Sequence, residues 1–118
     1  MTVRPKLLFV DDEEEILDLL VLAFRDCDSR RALDMDRALE ALNREQFDVL
    51  VTDIKMPGGS GFDLIEAARR THPELPIVVI TGHHQEMTDD TKANVHQWIL
   101  KPFNIEAIRE AVIGALKK

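Results

Sequence analysis

The sequence is short of cysteine and of long apolar runs, and each shortage excludes a class of protein. Cys27 is the one cysteine, so no disulfide can form within the chain. The apolar stretch before the first two aspartates is only Leu7–Val10, too short for a signal-peptide core or a membrane span. The sequence therefore predicts a cytoplasmic protein that does not enter a membrane, with Cys27 as a small core residue that has no chemical role.

Positive charge is scarce as well. The chain has 15 Lys and Arg residues against 22 Asp and Glu residues, a formal net charge of -7. This excess of negative charge repels nucleic-acid phosphates, so we expect no direct nucleic acid binding by this chain. A cation is the favoured ligand.

Linkers, internal repeats and low-complexity tracts are also missing. A length of 118 residues is close to the commonest size of one domain, and 45% hydrophobic residues are enough to build one core. We therefore expect residues 1–118 to form a single domain.

Short apolar runs alternate with longer segments of helical period, a pattern typical of βαβ units with a parallel sheet. The runs predicted to be strands covered on both faces are Leu7–Val10, Val49–Thr52, Ile77–Ile80 and Trp98–Leu100. A weaker, more polar run around Arg30–Leu33 is predicted to be an edge strand. The fold class is therefore α/β.

Amphipathic segments between these runs predict the helices. They are Glu13–Asp26, Asp36–Arg44, a helix that Ser60 caps and that ends before His72, and a last helix that Asn104 caps. The polar segment Gln85–Val95 predicts only a short or irregular helix.

Five polar residues stand at the carboxyl ends of the predicted strands: Asp11, Asp12, Asp53, Thr81 and Lys101. In an open parallel sheet the ligand crevice lies outside these ends, so the five side chains should converge. Three carboxylates brought together repel one another unless a cation neutralises them, and oxygen ligands select a hard ion such as Mg²⁺. An ammonium and a hydroxyl beside them suit a phosphoryl group, with Asp53 as the nucleophile.

The segments LLFVDDEE, VLVTDIKMPGGSG, IVVITG and WILKPF resemble the motifs of the receiver domain of two-component response regulators, of the chemotaxis-regulator type. The resemblance covers essentially the whole chain. It implies a doubly wound, flavodoxin-like (βα)5 three-layer sandwich with a five-stranded parallel sheet in the order 2-1-3-4-5.

The resemblance also implies a mechanism. Asp53 would accept a phosphoryl group from a sensor histidine kinase, a phosphotransfer protein or a small phosphodonor, and Thr81 and Lys101 would assist. Mg²⁺ (or Mn²⁺) would be held by Asp11, Asp12, Asp53 and the backbone carbonyl of Lys55. The bond before Pro102 would be cis.

Phosphorylation would then draw in Thr81 and the aromatic residue at position 98, and so change the surface of the fold's fourth helix, fifth strand and fifth helix. That surface would control a downstream protein or an attached output domain, or a phosphorylation-linked homodimer. The chain would be no enzyme beyond phosphotransfer to its own aspartate and slow self-dephosphorylation.

Three sets of residues leave alternatives open. Trp98 stands where the family usually has Tyr or Phe, so it is either the switch residue or a half-buried strand residue with fixed packing. Lys55 and His83 occupy the sites that tune phosphorylation and dephosphorylation rates, or are exposed side chains with little effect. A zinc site at His83, His84 and His96 has little support, because it lacks helical ligand spacing and a second ligand type.

Two other functions compete with the phosphorylation switch. A haloacid-dehalogenase-like phosphatase also uses an aspartyl phosphate, but its nucleophile normally lies in an Asp-x-Asp motif after the first strand. A receiver-like docking module without phosphorylation is disfavoured by the presence of Asp12, Asp53, Thr81 and Lys101. Whether the chain acts alone or as part of a longer regulator or hybrid kinase stays open.

Overall fold

A computed structural model describes residues 4–56, 59–82 and 95–117. The strands are β1 (Lys6–Val10), β2 (Asp28–Ala32), β3 (Val49–Thr52), β4 (Ile77–Thr81) and β5 (Gln97–Leu100). The helices within the described ranges are α1 (Glu14–Ala23), α2 (Met35–Arg44), α3 (Gly61–Thr71) and α4 (Ile105–Leu116). A two-residue antiparallel pair, Lys55–Met56 with Gly59–Ser60, links β3 to α3.

The five strands form one parallel sheet in the order β2-β1-β3-β4-β5, which confirms the predicted fold class. Side chains alternate between its two faces. Leu7 and Phe9 of β1 pack under α1 and α4, whereas Leu8 and Val10 pack under α2 and α3. Both faces of the sheet are therefore covered, which explains why its central strands are apolar throughout.

The boundaries differ from the predictions by more than one residue in two places, at the end of α1 and at the start of β2. α1 ends at Ala23 rather than Asp26, because Phe24 leaves helical geometry and buries its ring against Phe9, with ring centroids 5.5 Å apart. β2 lies at Asp28–Ala32, so it begins two residues and ends one residue earlier than predicted, since its register with Lys6–Val10 decides its position. It is an edge strand, as predicted.

Helix capping follows the sequence where the cap is described. The Asn104 side chain accepts a hydrogen bond of 2.7 Å from the amide of Ala107, as predicted. α3 begins at Gly61, directly after Ser60, whose side chain lies outside the described structure. Of the segment Gln85–Val95, only Val95 is described, so the predicted short helix stays a prediction.

No helix within residues 4–56, 59–82 and 95–117 has the length and apolar character needed to cross a membrane.

Candidate phosphoryl-acceptor site

Three site residues directly follow strands of the sheet, and main-chain hydrogen bonds extend the ladder to hold them. The amide of Asp53 donates to the carbonyl of Val10 at 2.9 Å. The amide of Asp11 donates to Ala32 at 3.2 Å, and that of Lys101 to Thr81 at 2.8 Å. The carboxyl ends of β1, β3 and β5 therefore present these side chains at the same edge of the sheet.

The side chains meet there, as the sequence predicts. The Lys101 ammonium lies 3.0 Å from Asp53 Oδ2 and 3.5 Å from Asp11 Oδ2. Both carboxylates are nearly enclosed, with 2% of Asp11 and 6% of Asp53 exposed. One partly buried cation thus serves two buried anions, which leaves the pocket with an uncompensated negative charge.

Burial and the neighbouring charges together shift the pKa values in this pocket. Burial of the carboxyl raises the pKa of Asp11 to about 6, against the lowering effect of the Glu13 amide and the Lys101 ammonium. For Lys101, burial disfavours the ammonium, but the hydrogen bond to Asp53 and the charges of Asp11, Asp53 and Glu13 outweigh it and raise its pKa. The lysine stays charged, whereas Asp11 holds its proton more readily than an ordinary aspartate.

A group of three carboxylates lies beside this pocket. Oxygens of Asp11, Asp12 and Glu13 are all within 4.8 Å of one another, with Asp11 buried and the other two exposed. Such a hard, all-oxygen set suits a divalent cation that keeps part of its water shell. The raised pKa of Asp11 agrees with this, because a bound cation can take the place of the proton.

Thr81 and Trp98 lie on neighbouring strands close to the same edge. Thr81 is fully buried at the end of β4. Trp98 is half-buried on β5, with its ring centroid 6.2 Å from that of Phe62. Its indole Nε1 is buried without a hydrogen-bond acceptor in the described structure. The half-buried position agrees with both interpretations of Trp98 and decides between neither.

The remaining predicted positions are covered only in part. The peptide bond between Lys101 and Pro102 is cis. The Lys55 side chain, His83 and His84 lie outside the described structure, so their proposed roles and the zinc alternative stay untested. Cys27 is partly buried and packs against the core beneath α1 and α4.

Two contributors were missed from the sequence. Glu13 was predicted only as the first residue of the first helix, yet its carboxylate lies 3.7 Å from the Lys101 ammonium. Gly61 packs directly on the residues around Asp53: a Cβ at this position would be 2.7 Å from Ile54 Cα and 3.1 Å from the Asp53 carbonyl carbon. Adjacency to Asp11 and Asp12 could have indicated Glu13, whereas no local pattern indicates Gly61.

The fold and this edge define a class of protein: a doubly wound α/β domain with an acidic, lysine-bearing pocket at a topological switch point. The family model for the response regulator receiver domain matches residues 7–113. The chain therefore belongs to the receiver domain family of two-component phosphorelay signalling, and the phosphatase alternative has no support from this match.

Individual proteins agree with the family. The chain is 37% identical to the response regulator protein PilR of Pseudomonas aeruginosa, over 97% of this chain and 26% of PilR. It is 31% identical to the chemotaxis protein CheY of the same organism, over 91% of this chain and 92% of CheY. The chain thus spans about a quarter of PilR but nearly all of CheY.

A solved structure shows the same fold with a ligand. The response regulator TrrA of Thermotoga maritima, in complex with Mg(2+)-BeF, superimposes with a TM-score of 0.88 at 25% identity. The match covers 95% of this chain and 99% of that one.

Proposed function

We propose that Asp53 is the phosphoryl acceptor of this receiver domain, that residues 1–118 form that single domain, and that the pocket of Asp11, Asp53 and Lys101 carries out the transfer. The observation that carries this proposal is the shared lysine: one ammonium contacts two buried carboxylates, at 3.0 and 3.5 Å. Such a pocket has an anionic nucleophile and a cation beside it that can bind the incoming phosphoryl group.

The two carboxylates have different roles in this proposal. Asp53 Oδ1 accepts a 2.6 Å hydrogen bond from the amide of Ile54, and Oδ2 faces Lys101. This arrangement fixes the carboxylate for attack on phosphorus. As the new O–P bond forms, the bond from phosphorus to the donor's leaving group breaks, and its electron pair leaves with that group. The Lys101 ammonium moves its hydrogen bond from Asp53 Oδ2 to a phosphoryl oxygen, and the Thr81 hydroxyl donates to another. Asp11, which lies farther from the Lys101 ammonium, stays on the side of the pocket where the metal ion would bind.

The carboxylates of Asp11, Asp12 and Asp53 and the backbone carbonyl of Lys55 would hold Mg²⁺ (or Mn²⁺). When bound, the ion neutralises the carboxylates and the charge on the phosphoryl oxygens. The cluster around Asp11 supports this assignment through its donor chemistry, as does the Mg(2+)-BeF complex of the related protein TrrA.

The output of the switch is proposed from Thr81 and Trp98. Engagement of the Thr81 hydroxyl by the phosphoryl group changes the contacts available to Trp98 on the adjacent strand, where Val79 of β4 is paired with Trp98 of β5. No acceptor for the buried indole N–H lies among the described residues, and this favours a rearrangement that provides one. The surface around β5 then binds a partner or an output domain differently.

The proposed phosphate source is a sensor histidine kinase or a phosphotransfer protein, and the receiver's partner is a downstream protein or an attached output domain. Membership of the response regulator family supports both assignments. The rate-tuning roles of Lys55 and His83, a phosphorylation-linked homodimer and the cytoplasmic location stay predictions.

The test is phosphorylation by a small donor. The purified protein is incubated with Mg²⁺ and acetyl phosphate, and its intact mass is measured beside that of Asp53→Asn and of a sample with a chelator. We expect the wild-type protein to gain the mass of one phosphoryl group, and neither the variant nor the chelated sample to do so.

Folding of the variant is checked by circular dichroism, because Asp53→Asn also removes one partner of Lys101. A folded wild-type protein that gains no mass with either acetyl phosphate or phosphoramidate would contradict the proposal. So would a folded Asp53→Asn variant that is phosphorylated as fast as the wild type.

A further inference from the structure

One buried polar side chain at this edge of the sheet has no part in the chemistry described so far. Thr52, the last residue of β3, is fully buried. Its hydroxyl donates a 2.8 Å hydrogen bond to the carbonyl oxygen of Asp53. A buried hydroxyl needs a partner, but this one binds the main chain of the acceptor residue itself.

That carbonyl belongs to the peptide unit that also holds the Asp53 carboxylate. The peptide unit between Asp53 and Ile54 is planar, so its C=O and N–H move together. Thr52 binds the C=O, and the N–H of Ile54 donates to Asp53 Oδ1 at 2.6 Å. Rotation of this plane would break both hydrogen bonds and turn the carboxylate away from Lys101.

A second contact holds the same plane. The Gly61 Cα lies so close to this plane that a Cβ would be 2.7 Å from Ile54 Cα. Real Cβ atoms do not approach backbone so closely. The amide of Gly61 also donates at 2.6 Å to the carbonyl of Ile54, which belongs to the next peptide unit. The plane is therefore fixed by a hydroxyl at one end and by the first residue of α3 at its side.

We propose that Thr52 is a positioning residue for phosphoryl transfer, which acts by clamping the peptide plane between Asp53 and Ile54 and so orienting the Asp53 carboxylate. Gly61 completes the clamp. This inference rests on the proposed function of Asp53. With acetyl phosphate as donor, a carboxylate oxygen of Asp53 forms the new O–P bond while the bond from phosphorus to the acetate oxygen breaks, and its electron pair leaves with acetate.

The test compares Thr52→Val, which keeps the shape but loses the hydroxyl, with Thr52→Ser, which keeps the hydroxyl. We expect Thr52→Val to lower the maximal rate constant for phosphorylation by acetyl phosphate roughly 10-fold, as a misplaced nucleophile does, and Thr52→Ser to restore most of it. The acetyl phosphate concentration for half-maximal rate should change less than about twofold, since Lys101 and Thr81 are untouched.

Two controls separate positioning from general damage. Thr71→Val removes an exposed hydroxyl that donates to Ala67 O at 3.1 Å on α3, and it should phosphorylate like the wild type. The ¹H–¹⁵N signal of the Ile54 amide, recorded without donor, should shift in Thr52→Val and stay near its wild-type position in Thr52→Ser and Thr71→Val.

Gly61→Ala provides a second approach to the same plane, with Gly114→Ala as its matched control. A Cβ at Gly114 would lie 3.6 Å from His96 Nε2, which is ordinary contact. We expect Gly61→Ala to slow phosphorylation and shift the Ile54 signal, and Gly114→Ala to do neither. A Gly61→Ala protein with wild-type rate and spectrum would show that the plane is not held from this side.

The outcomes distinguish the two levels of the proposal. If the wild type is phosphorylated and Thr52→Val reacts at the same rate, or Thr52→Ser is as slow as Thr52→Val, the clamp is wrong and the function of Asp53 stands. If the wild type is not phosphorylated, the proposed function is wrong. The Ile54 signal still decides the clamp, because an unshifted signal in Thr52→Val overturns it.

Discussion

The charged side chains at the two ends of the sheet differ in burial and in pairing. At the carboxyl ends of the strands, Asp11 and Asp53 are buried and share the ammonium of Lys101. At the amino ends, Lys6 and Glu45 form a 2.9 Å ion pair, and Glu45 also lies 3.2 Å from Arg30. The first end has more buried anions than cations, whereas at the second end two cations contact the same carboxylate near solvent.

The pKa values shift in opposite directions as a result. Burial raises the pKa of Asp11 to about 6. The hydrogen bond from Lys6, followed by the charge of Arg30, lowers the pKa of Glu45, and the hydrogen bond from Arg30 lowers that of Asp28. At the amino-terminal end, the charged side chains are thus balanced by the ion pairs that they form with one another. The carboxyl-terminal end gains when a further positive charge arrives, as a site for a metal ion must.

The largest effect that we expect is on the rate constant of phosphorylation. Lys101→Met removes the only cation in contact with Asp53 among the described residues, so the phosphorylation rate constant with acetyl phosphate should fall roughly 100-fold. The matched change at the other end, Lys6→Met, should leave that rate within about twofold. Equal losses of the phosphorylation rate constant in both variants would show that the two ends of the sheet do not differ in their role.

Asp11 should affect stability through pH. Its folded pKa of about 6 exceeds the ordinary value of 3.8, so the folded state binds the proton more tightly than the unfolded state. Its contribution to stability is fully present below pH 3.8 and is lost as the pH rises through 6, a change of up to about 3 kcal/mol. Urea unfolding of wild type and Asp11→Asn at pH 5 and pH 8, with chelator, measures this.

Asp11→Asn should be more stable than the wild type at pH 8, with a smaller advantage at pH 5. Added Mg²⁺ should stabilise the wild type at pH 8 more than it stabilises the variant. If the stability of the variant depends on pH as that of the wild type does, the Asp11 carboxyl is not a buried group with a raised pKa.

A polar contact at the same end of the sheet, but without buried charge, should matter only for folding. Asn104→Ala removes the N-cap of α4 and should lower the free energy of unfolding by about 1 kcal/mol, measured by urea titration. Its phosphorylation rate should match the wild type. A large loss of phosphorylation would mean that position at this end, rather than contact with the buried carboxylates, determines function.

The smallest effect is expected from Glu45→Gln at the amino ends. The lowered pKa means that Glu45 stabilises the fold above its ordinary pKa of 4.5 and loses this contribution as the pH falls through its folded value. The urea midpoint should therefore be slightly lower than that of the wild type at pH 7 and equal to it at pH 3. An unchanged midpoint at pH 7 would show that the exposed pairs contribute nothing measurable.

The sequence predicted most of the fold because its information is local and periodic. The apolar strands and the positions of Asp11, Asp53, Thr81 and Lys101 at strand ends require only hydrophobic runs and the general topology of parallel sheets. The start of β2 was misplaced by two residues because Asp28–Arg31 are polar, and only pairing with β1 defines the position of the strand.

What could not be predicted depends on packing in three dimensions. Gly61 lies near Asp53 and Ile54 in the sequence, yet a glycine as the first residue of a helix does not indicate that it packs so closely against them. In the sequence Thr52 is only the last residue of an otherwise apolar strand. The structure is needed to show that its hydroxyl donates a hydrogen bond to the Asp53 carbonyl. The raised pKa of Asp11 likewise follows from burial, which spacing alone does not give.

The most direct test of the central claim locates the phosphoryl group. After reaction with acetyl phosphate and Mg²⁺, borohydride reduction converts an aspartyl phosphate to homoserine, and peptide mass spectrometry identifies the modified residue. We expect homoserine at position 53 and unmodified aspartate at positions 11 and 12. Homoserine at Asp11 or Asp12, or a phosphorylated protein with intact Asp53, would contradict the central claim.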